Sequence, residues 1–372
     1  MMLLSKPYFG DTRVNRECKS LAASDFPIDV LAWDRCGDGS NVADEEPGIK
    51  VELIGPPCKT RAFMSFIFKL PRFWMACLSA SRKRRFSIVH AHDFDTLPIG
   101  RLISKLHGAS LVYDSHESYA DMIAKDVPPI VSRLVRMLEK RLMRGAGKVL
   151  VANENIAELI GAKESVVLLN CPDATELPIG CPRPSESGKV GKKRIGYFGS
   201  LEPGRFIQEA LDVVAGTQDW QIVVGGDGTL AEAVRNAASR SNSVSYVGHV
   251  SHEEVMEQSS KCEALHVLLD PTNVNYRIST PLRLFEAMSL GIPSIVSTGT
   301  YPASVVEKEQ CGFVCDFSEE AFSNLLSTLS KDPQSMKERG LNGQRAFNRE
   351  YNWGRQAAKL IGVYSELVHS NQ

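Results

Sequence analysis

The sequence predicts an α/β protein made of two doubly wound, Rossmann-like halves. Three observations carry that prediction. Short apolar runs alternate with helix-spaced segments along almost the whole chain. One stretch rich in proline and glycine interrupts the alternation near the middle. The 372 residues, 43% of them hydrophobic, are too many for one ordinary core and too apolar for a disordered chain.

Taken in order, residues 28–33 (IDVLAW), 87–91 (SIVHA), 109–113 (ASLVY), 148–152 (KVLVA) and 165–169 (SVVLL) read as strands. The stretches between them, such as 128–144, put apolar residues at helical spacing. Apolar strands separated by helices indicate parallel sheet covered on both faces, so residues 1–170 form a first doubly wound domain. Residues 171–193 have no periodicity and read as a linker. Strands resume at 194–198 (RIGYF), 221–224 (QIVV), 243–247 (SVSYV), 264–269 (ALHVLL) and 294–297 (SIVS), which gives a second domain over 194–352. The two sheets are expected to face a common cleft at the carboxyl ends of their strands, where open α/β sheets bind ligands.

Composition narrows the function class. A net charge of −1 excludes a dedicated nucleic-acid binder, which needs a basic footprint. Nine cysteines without zinc-ligand spacing read as reduced thiols of a cytoplasmic enzyme. No signal-peptide run opens the chain and no apolar stretch approaches the ~20 residues of a membrane span, so a soluble or peripheral protein is expected. One segment stands out: residues 59–85 hold eight Lys or Arg, no acid, and several aromatic residues. It reads either as an interfacial segment for an anionic membrane or as a core helix with a basic polar face.

Several stretches carry chemistry. In RIGYFGSLEPGR (194–205) a strand feeds a glycine-rich turn and then a helix N-terminus, an anion site beside which Arg205 would pair with phosphate. Gly225, Gly226, Asp227 and Gly228 follow the next strand without completing GxGxxG; they line a nucleotide pocket or simply make a tight turn. In NVNYRISTPLRLFEAMSLGIPSIVS (273–297), Pro281 is expected at the first helical position and Gly291 just past the helix end. Glu286 on that helix is either a polar-face residue or an acceptor for the two hydroxyls of a ribose. In the first half, VHAHDFD and DSHE end two parallel strands, delivering His90, His92, Asp93, Asp114, His116 and Glu117 to one carboxyl edge. Metal ligation, acid–base chemistry and polyol binding all fit such a cluster, although no HExxH or facial-triad spacing supports metal.

With these motifs in this order (FGDTRV, HAHDFDTLP, LVYDSHE, NCPD, RIGYFGSLEPGR, VVGGDG, YVGHVSHEE, TPLRLFEAMSLGIPSIVS), the chain resembles the family 4 glycosyltransferases of the GT-B fold over nearly its whole length. The resemblance implies a retaining transferase that uses a nucleoside-diphosphate sugar, UDP- or GDP-linked, without a bound metal or other cofactor. It implies a donor site in the second domain, an acceptor site in the first, and a C-terminal helix (353–372) that rejoins the first domain. By position, it gives Glu286 to the donor ribose, Arg205 to the diphosphate, and Gly10 to the loop facing that diphosphate. His116 falls beside the transferring sugar and Val250 where backbone groups read the base. Gly226, Asn275, Leu282 and Arg283 join the donor side. His116, Arg205 and Glu117 are the expected catalytic groups, with His90, His92, Asp93 and Asp114 on the acceptor and sugar side. The expected acceptor is a lipid-linked molecule or a growing surface glycan, met by a cytoplasmic enzyme peripheral on the inner leaflet, with 59–85 as the docking segment.

Two departures from the family pattern are visible. An acid eight residues before Glu286 is replaced by Ile278, leaving Asn275 or Arg277 to make its contact. Ser200 stands where an arginine often follows the turn glycine, so Arg283 becomes the source of a second positive charge. These departures keep two alternatives open: a nucleotide-sugar 2-epimerase of similar architecture, and a non-catalytic subunit that binds a nucleotide sugar. An NAD-dependent dehydrogenase is disfavoured because neither half pairs GxGxxG with a following acid.

Overall fold

The parallel strand runs build two separate sheets. The structure is a computed structural model that describes residues 1–9, 11–37, 46–58, 63–174 and 191–370. Gly10, Lys59, Arg61 and most of the linker lie outside the described residues. The chain divides into one unit of Met1–Leu169 with Arg355–Gln372 and another of Asn170–Gly354.

The first unit holds β1 (Met2–Leu4), β2 (Ile28–Trp33), β3 (Ile49–Ile54), β4 (Ile88–His92), β5 (Ser110–Ser115), β6 (Lys148–Val151) and β7 (Ser165–Val167). All are parallel, in the order β3-β2-β1-β4-β5-β6-β7. Its helices are α1 (Thr12–Ala22), α2 (Phe63–Ser81), α3 (Leu97–His107), α4 (Tyr119–Met122), α5 (Pro129–Met143) and α6 (Glu154–Ile160). Strand order reverses at β1, so right-handed crossovers put α1 on one face and α2, α3 and α5 on the other. On that second face α2 packs on α3 and α3 on α5.

In the second unit, β8 (Lys193–Phe198), β9 (Trp220–Gly225), β10 (Val244–Gly248), β11 (Ala264–Val267), β12 (Ser294–Ser297) and β13 (Gly312–Cys315) pair in the order β10-β9-β8-β11-β12-β13. Its helices are α7 (Ile207–Ala215), α8 (Ala231–Arg240), α9 (His252–Ser260), α10 (Val274–Ile278), α11 (Leu282–Leu290), α12 (Tyr301–Glu309), α13 (Glu319–Lys331) and α14 (Pro333–Arg349). A core of Tyr197, Phe206, Trp220 and Phe322 fills one side of this sheet. The last helix, α15 (Trp353–Ser370), lies against the first unit from Arg355 onward, where Gln356 accepts the Leu169 amide and Tyr364 meets His90.

Three details depart from the sequence expectation. Strands β1, β3 and β13 are additional; β1 is three residues long and β3 is a partly exposed edge strand carrying Lys50 and Glu52, so neither has a clean apolar signal. Pro281 is the N-cap of α11 rather than its first helical residue, because its ψ of 126° is extended. In α2, Phe73 stacks on the buried Trp33 at 5.0 Å and Phe66 lies 5.3 Å from the same ring, while Trp74 Nε1 donates to the Asp95 carbonyl. Much of the aromatic content of 63–81 therefore serves the core, and Arg84 is engaged by Asp29 and Glu52. Among the described residues no helix is long and apolar enough to cross a membrane.

Candidate functional site

Each unit gathers polar groups at the carboxyl edge of its own sheet. In the first, β4 and β5 pair with His90 opposite Val112 and His92 opposite Asp114. The chain then turns at Asp93, a non-glycine residue held at φ 61°, a strained conformation that clusters at functional sites. The centre of the network is Arg13 on α1, a helix capped by Asp11. Arg13 Nη2 donates to both oxygens of Asp114 at 2.8 and 3.0 Å, Nη1 donates to the Leu168 carbonyl at 2.7 Å, and Nε lies 3.0 Å from Glu17.

Asp114 in turn fixes His116, whose Nε2 is 3.0 Å from Oδ2, while its Nδ1 is 3.5 Å from Asp93. A ring with a carboxylate at each nitrogen carries both protons. Burial opposes that charge, but Asp93 and Asp114 outweigh it and raise the His116 pKa to about 9. Burial would likewise lift Asp114, yet Arg13 and His116 hold it well below the usual carboxylate range. Glu17 goes the other way: burial first, then Asp114, push it up to about 8. His90 and His92 stay neutral, lowered chiefly by burial.

This geometry corrects part of the acceptor-side expectation. His90 and His92 are 0% and 1% exposed, and Asp114 is 0% exposed, so none of the three offers an atom to a ligand. His90 bonds Tyr364, and the two histidine rings stack at 4.2 Å; they support the edge rather than form it. The reachable groups are His116, Asp93, Glu117 and Lys6, the last paired with Asp11 at 2.7 Å. A His116 ring protonated between Asp93 and Asp114 can offer charge or a hydrogen bond, and has no free lone pair with which to accept a proton. Among the described residues Glu17, His90, His92 and Asp114 bring ligand-type atoms within 4.8 Å of one another. The Arg13 guanidinium already lies against both carboxylates, which disfavours a further cation there.

In the second unit the turn after β8 uses Gly199 at φ 147° and Gly204 at φ 78°. A Cβ on Gly226 would lie 1.8 Å from the Gly199 carbonyl oxygen, and one on Gly228 would lie 2.5 Å from that of Leu201. The two glycine turns are thus packed backbone against backbone, and only glycine fits. Val250 packs over Gly225 at the same edge. Arg205 lies over the Tyr276 ring at 5.4 Å, its buried Nε without a hydrogen-bond partner.

Arg283, at the start of α11 beside Leu282, is only 7% exposed. Its guanidinium stacks on Tyr197 at 4.5 Å, its Nη1 faces Gly199, and its Nε and Nη2 have no partner. The neighbouring His266 cannot share the charge: burial, then Arg283, lower it to about 3. One turn along α11, Glu286 is 5% exposed and faces His252 at 3.5 Å. Asn275 presents a buried, unpartnered Oδ1 from α10, whereas Ile278 is buried and Arg277 is exposed.

Arg13, Lys6 and Glu17 do not stand out in the sequence as site residues. The signal for the first and third was an arginine and a glutamate four apart on an otherwise amphipathic helix; Lys6 had none.

Family comparison matches both halves. Residues 10–167 fit a glycosyl transferase 4-like domain, and residues 183–346 fit the glycosyl transferases group 1 domain. The chain belongs to the GT-B glycosyltransferases of the family 4 type. Over 301 residues the transferase is 22% identical to glycogen synthase of Mycobacterium tuberculosis, spanning 77% of this chain and 70% of that one. Among solved structures, sucrose-phosphate synthase from Thermosynechococcus elongatus superposes with a TM-score of 0.82 at 16% identity, over 99% of each chain. Anabaena HepE in complex with UDP gives 0.72 at 16% identity, also over 99% of each. At such identities these structural likenesses speak for the fold.

Proposed function

We propose that this glycosyltransferase moves a sugar, with retention of anomeric configuration, from a nucleoside-diphosphate donor to a lipid-linked or growing polysaccharide acceptor. The donor belongs to the second unit and the acceptor to the first. The observation that carries the reading is Arg283: a buried guanidinium with two unpartnered nitrogens, facing a glycine turn, with no carboxylate paired to it among the described residues. A buried cation of this kind calls for an anion. Arg205 and the amides of the Gly199 turn supply the rest of a diphosphate cradle, and Glu286 offers two oxygens to a ribose. That the solved relative HepE holds UDP supports the same ligand class.

Departure of the nucleotide builds negative charge on the diphosphate, which the two guanidiniums meet as it develops. They take the part a metal otherwise plays, so turnover should persist in chelator. His116, fixed as a cation by Asp93 and Asp114, would orient the transferring sugar, and Asn275 Oδ1 would accept one of its hydroxyls. An acceptor of the lipid-linked class would be met at an anionic surface on the cytoplasmic side.

Calorimetric titration with UDP, GDP, ADP and their nucleosides tests this. One diphosphate should bind, and Arg283→Gln should weaken it by roughly 1.5–3 kcal/mol, the range of a charged hydrogen bond, while leaving the weak nucleoside affinity unchanged. Equal loss for nucleoside and diphosphate would remove Arg283 from the phosphate, and absence of any diphosphate binding would overturn the donor reading. The anomeric configuration of the product, read by proton NMR, decides retention; release of an epimerised nucleotide sugar without acceptor would favour an epimerase instead.

A further inference from the structure

Among the described residues, nine of the twelve exposed large hydrophobic side chains belong to α2, α3 and α5. The densest part lies on α5, where Ile130 (75% exposed), Leu134 (49%), Met137 (59%) and Leu138 (36%) form one stripe at helical spacing. Leu102 (45%) and Leu106 (62%) form a second stripe on α3, which packs on α5 and is tied to it by Arg101 Nη1 donating to the Leu142 carbonyl. Phe68 and Met75 extend the apolar surface onto α2.

The exposed charges on these helices have one sign. Lys105 on α3, Arg133, Lys140 and Arg141 on α5, and Arg144 at its end are exposed. The acid of α5, Glu139, is buried and bonded to the Tyr113 hydroxyl, and neither α2 nor α3 contains a carboxylate. Arg136 is the exception among the cations, being paired with Asp121. The outer face of this helix layer thus combines exposed apolar tips with a basic lattice that no exposed acid of α2, α3 or α5 neutralises.

We propose that the α3–α5 face, rather than the 59–85 segment alone, is the surface by which the enzyme docks on an anionic lipid bilayer. The proposal deepens the membrane side of the reading given above. A bilayer satisfies both features at once: Leu and Met side chains enter the acyl boundary while Lys and Arg stay among anionic headgroups. A second copy of the same face would bring guanidiniums against guanidiniums, which disfavours self-association. The docking face also adjoins the proposed acceptor edge in sequence, since α3 starts at Leu97, just after Asp93.

Co-sedimentation of the full chain with phosphatidylcholine vesicles, with and without phosphatidylglycerol, tests this. Binding should require phosphatidylglycerol and fall as salt rises. The triple variant Ile130→Ser, Leu134→Ser, Met137→Ser should lose about tenfold or more in vesicle affinity, and so should Arg133→Gln, Lys140→Gln, Arg141→Gln, each charge near the surface contributing on that scale. A charge-matched control in the other unit, Arg240→Gln, Lys331→Gln, Lys337→Gln, should bind as the parent does, with all variants matched for helical content by circular dichroism. Binding indifferent to lipid charge, or equal loss in the control, overturns the proposal. So would a dimer seen by light scattering that the apolar triple variant dissociates, which would make this face a self-association surface. Vesicle binding is read without donor or acceptor, so its failure and failure of the donor reading are separate results.

Discussion

Replacing Arg13 by methionine removes the larger of the two cationic partners of the buried Asp114 and leaves only the His116 ring beside it. The side chain is 4% exposed and its partner 0%, so water cannot take over the lost bonds. Three interactions vanish together: the two-oxygen contact with Asp114, the bond to the Leu168 carbonyl, and the approach to Glu17. Breaking a buried pair from one side costs ~3–5 kcal/mol, because a charge is left without compensation. For a unit of this size that corresponds to a drop of roughly 10 °C in its unfolding midpoint, measurable by calorimetry.

The pH dependence supplies an independent check. In the wild type the depressed pKa of Asp114 contributes stability above its unfolded pKa and loses it as pH falls through the folded value. Without Arg13 the same carboxyl titrates upward, so the variant gains relative stability as Asp114 takes up a proton. The gap between variant and wild type should therefore be widest near neutrality and narrow toward pH ~4. The double variant Arg13→Met, Asp114→Asn should be far more stable than the sum of the single losses implies. A single-variant loss below about 1 kcal/mol, with additive effects in the double, would refute the idea that this pair organises the edge.

Two further outcomes concern the sites themselves. Gly226→Ala should force apart the two glycine turns, because the new Cβ meets the Gly199 carbonyl oxygen; diphosphate affinity should fall at least about tenfold while circular dichroism is kept, and an unchanged Kd would separate these turns from the nucleotide. His116→Gln, which keeps a hydrogen-bond donor without the charge, should lower kcat and leave nucleotide affinity intact. With the wild-type ring raised to about 9, kcat/KM should stay level from pH 6.5 to about 8 and fall through a midpoint near 9, whereas a transition already near 6.5 would mean His116 works as an ordinary neutral imidazole.

How much of this was legible in the sequence follows from what each feature depends on. The apolar runs of β2, β4, β5, β8 and β11 announce themselves because strands buried on both faces are apolar throughout. Edge strand β3 and the three-residue β1 do not, since neither repeats an apolar pattern long enough to read. The places of the groups proposed for the donor were legible through their turns, as glycine spacing and a helix start fix where Arg205, Arg283 and Glu286 stand. Burial was not legible: VHAHDFD places two histidines on one face, but only the packing of α15, through Tyr364, seals His90 inside. For the same reason the aromatic, basic run over 59–85 resembles an interfacial segment until Trp33 is found beneath Phe66 and Phe73. The exposed stripe on α5 lies in a stretch that reads simply as a helix at helical spacing, and its outward direction is a property of the tertiary fold.

The two units handle charge in opposite ways, and that contrast organises the functional reading. In the first, the charges at the sheet edge are paired internally: Arg13 with Asp114, His116 with Asp93 and Asp114, and the half-exposed Lys6 with Asp11. Such a network holds its geometry in the absence of ligand and presents a fixed imidazolium, which suits the sugar and acceptor edge proposed above. In the second, Arg283 and Arg205 are held by aromatic rings and not by carboxylates, with nitrogens left unpaired. Rings fix the direction of a guanidinium without neutralising it. The full positive charge therefore stays available at the glycine turn, and on the proposed reading it is worth most when a bound diphosphate gains charge as the sugar leaves.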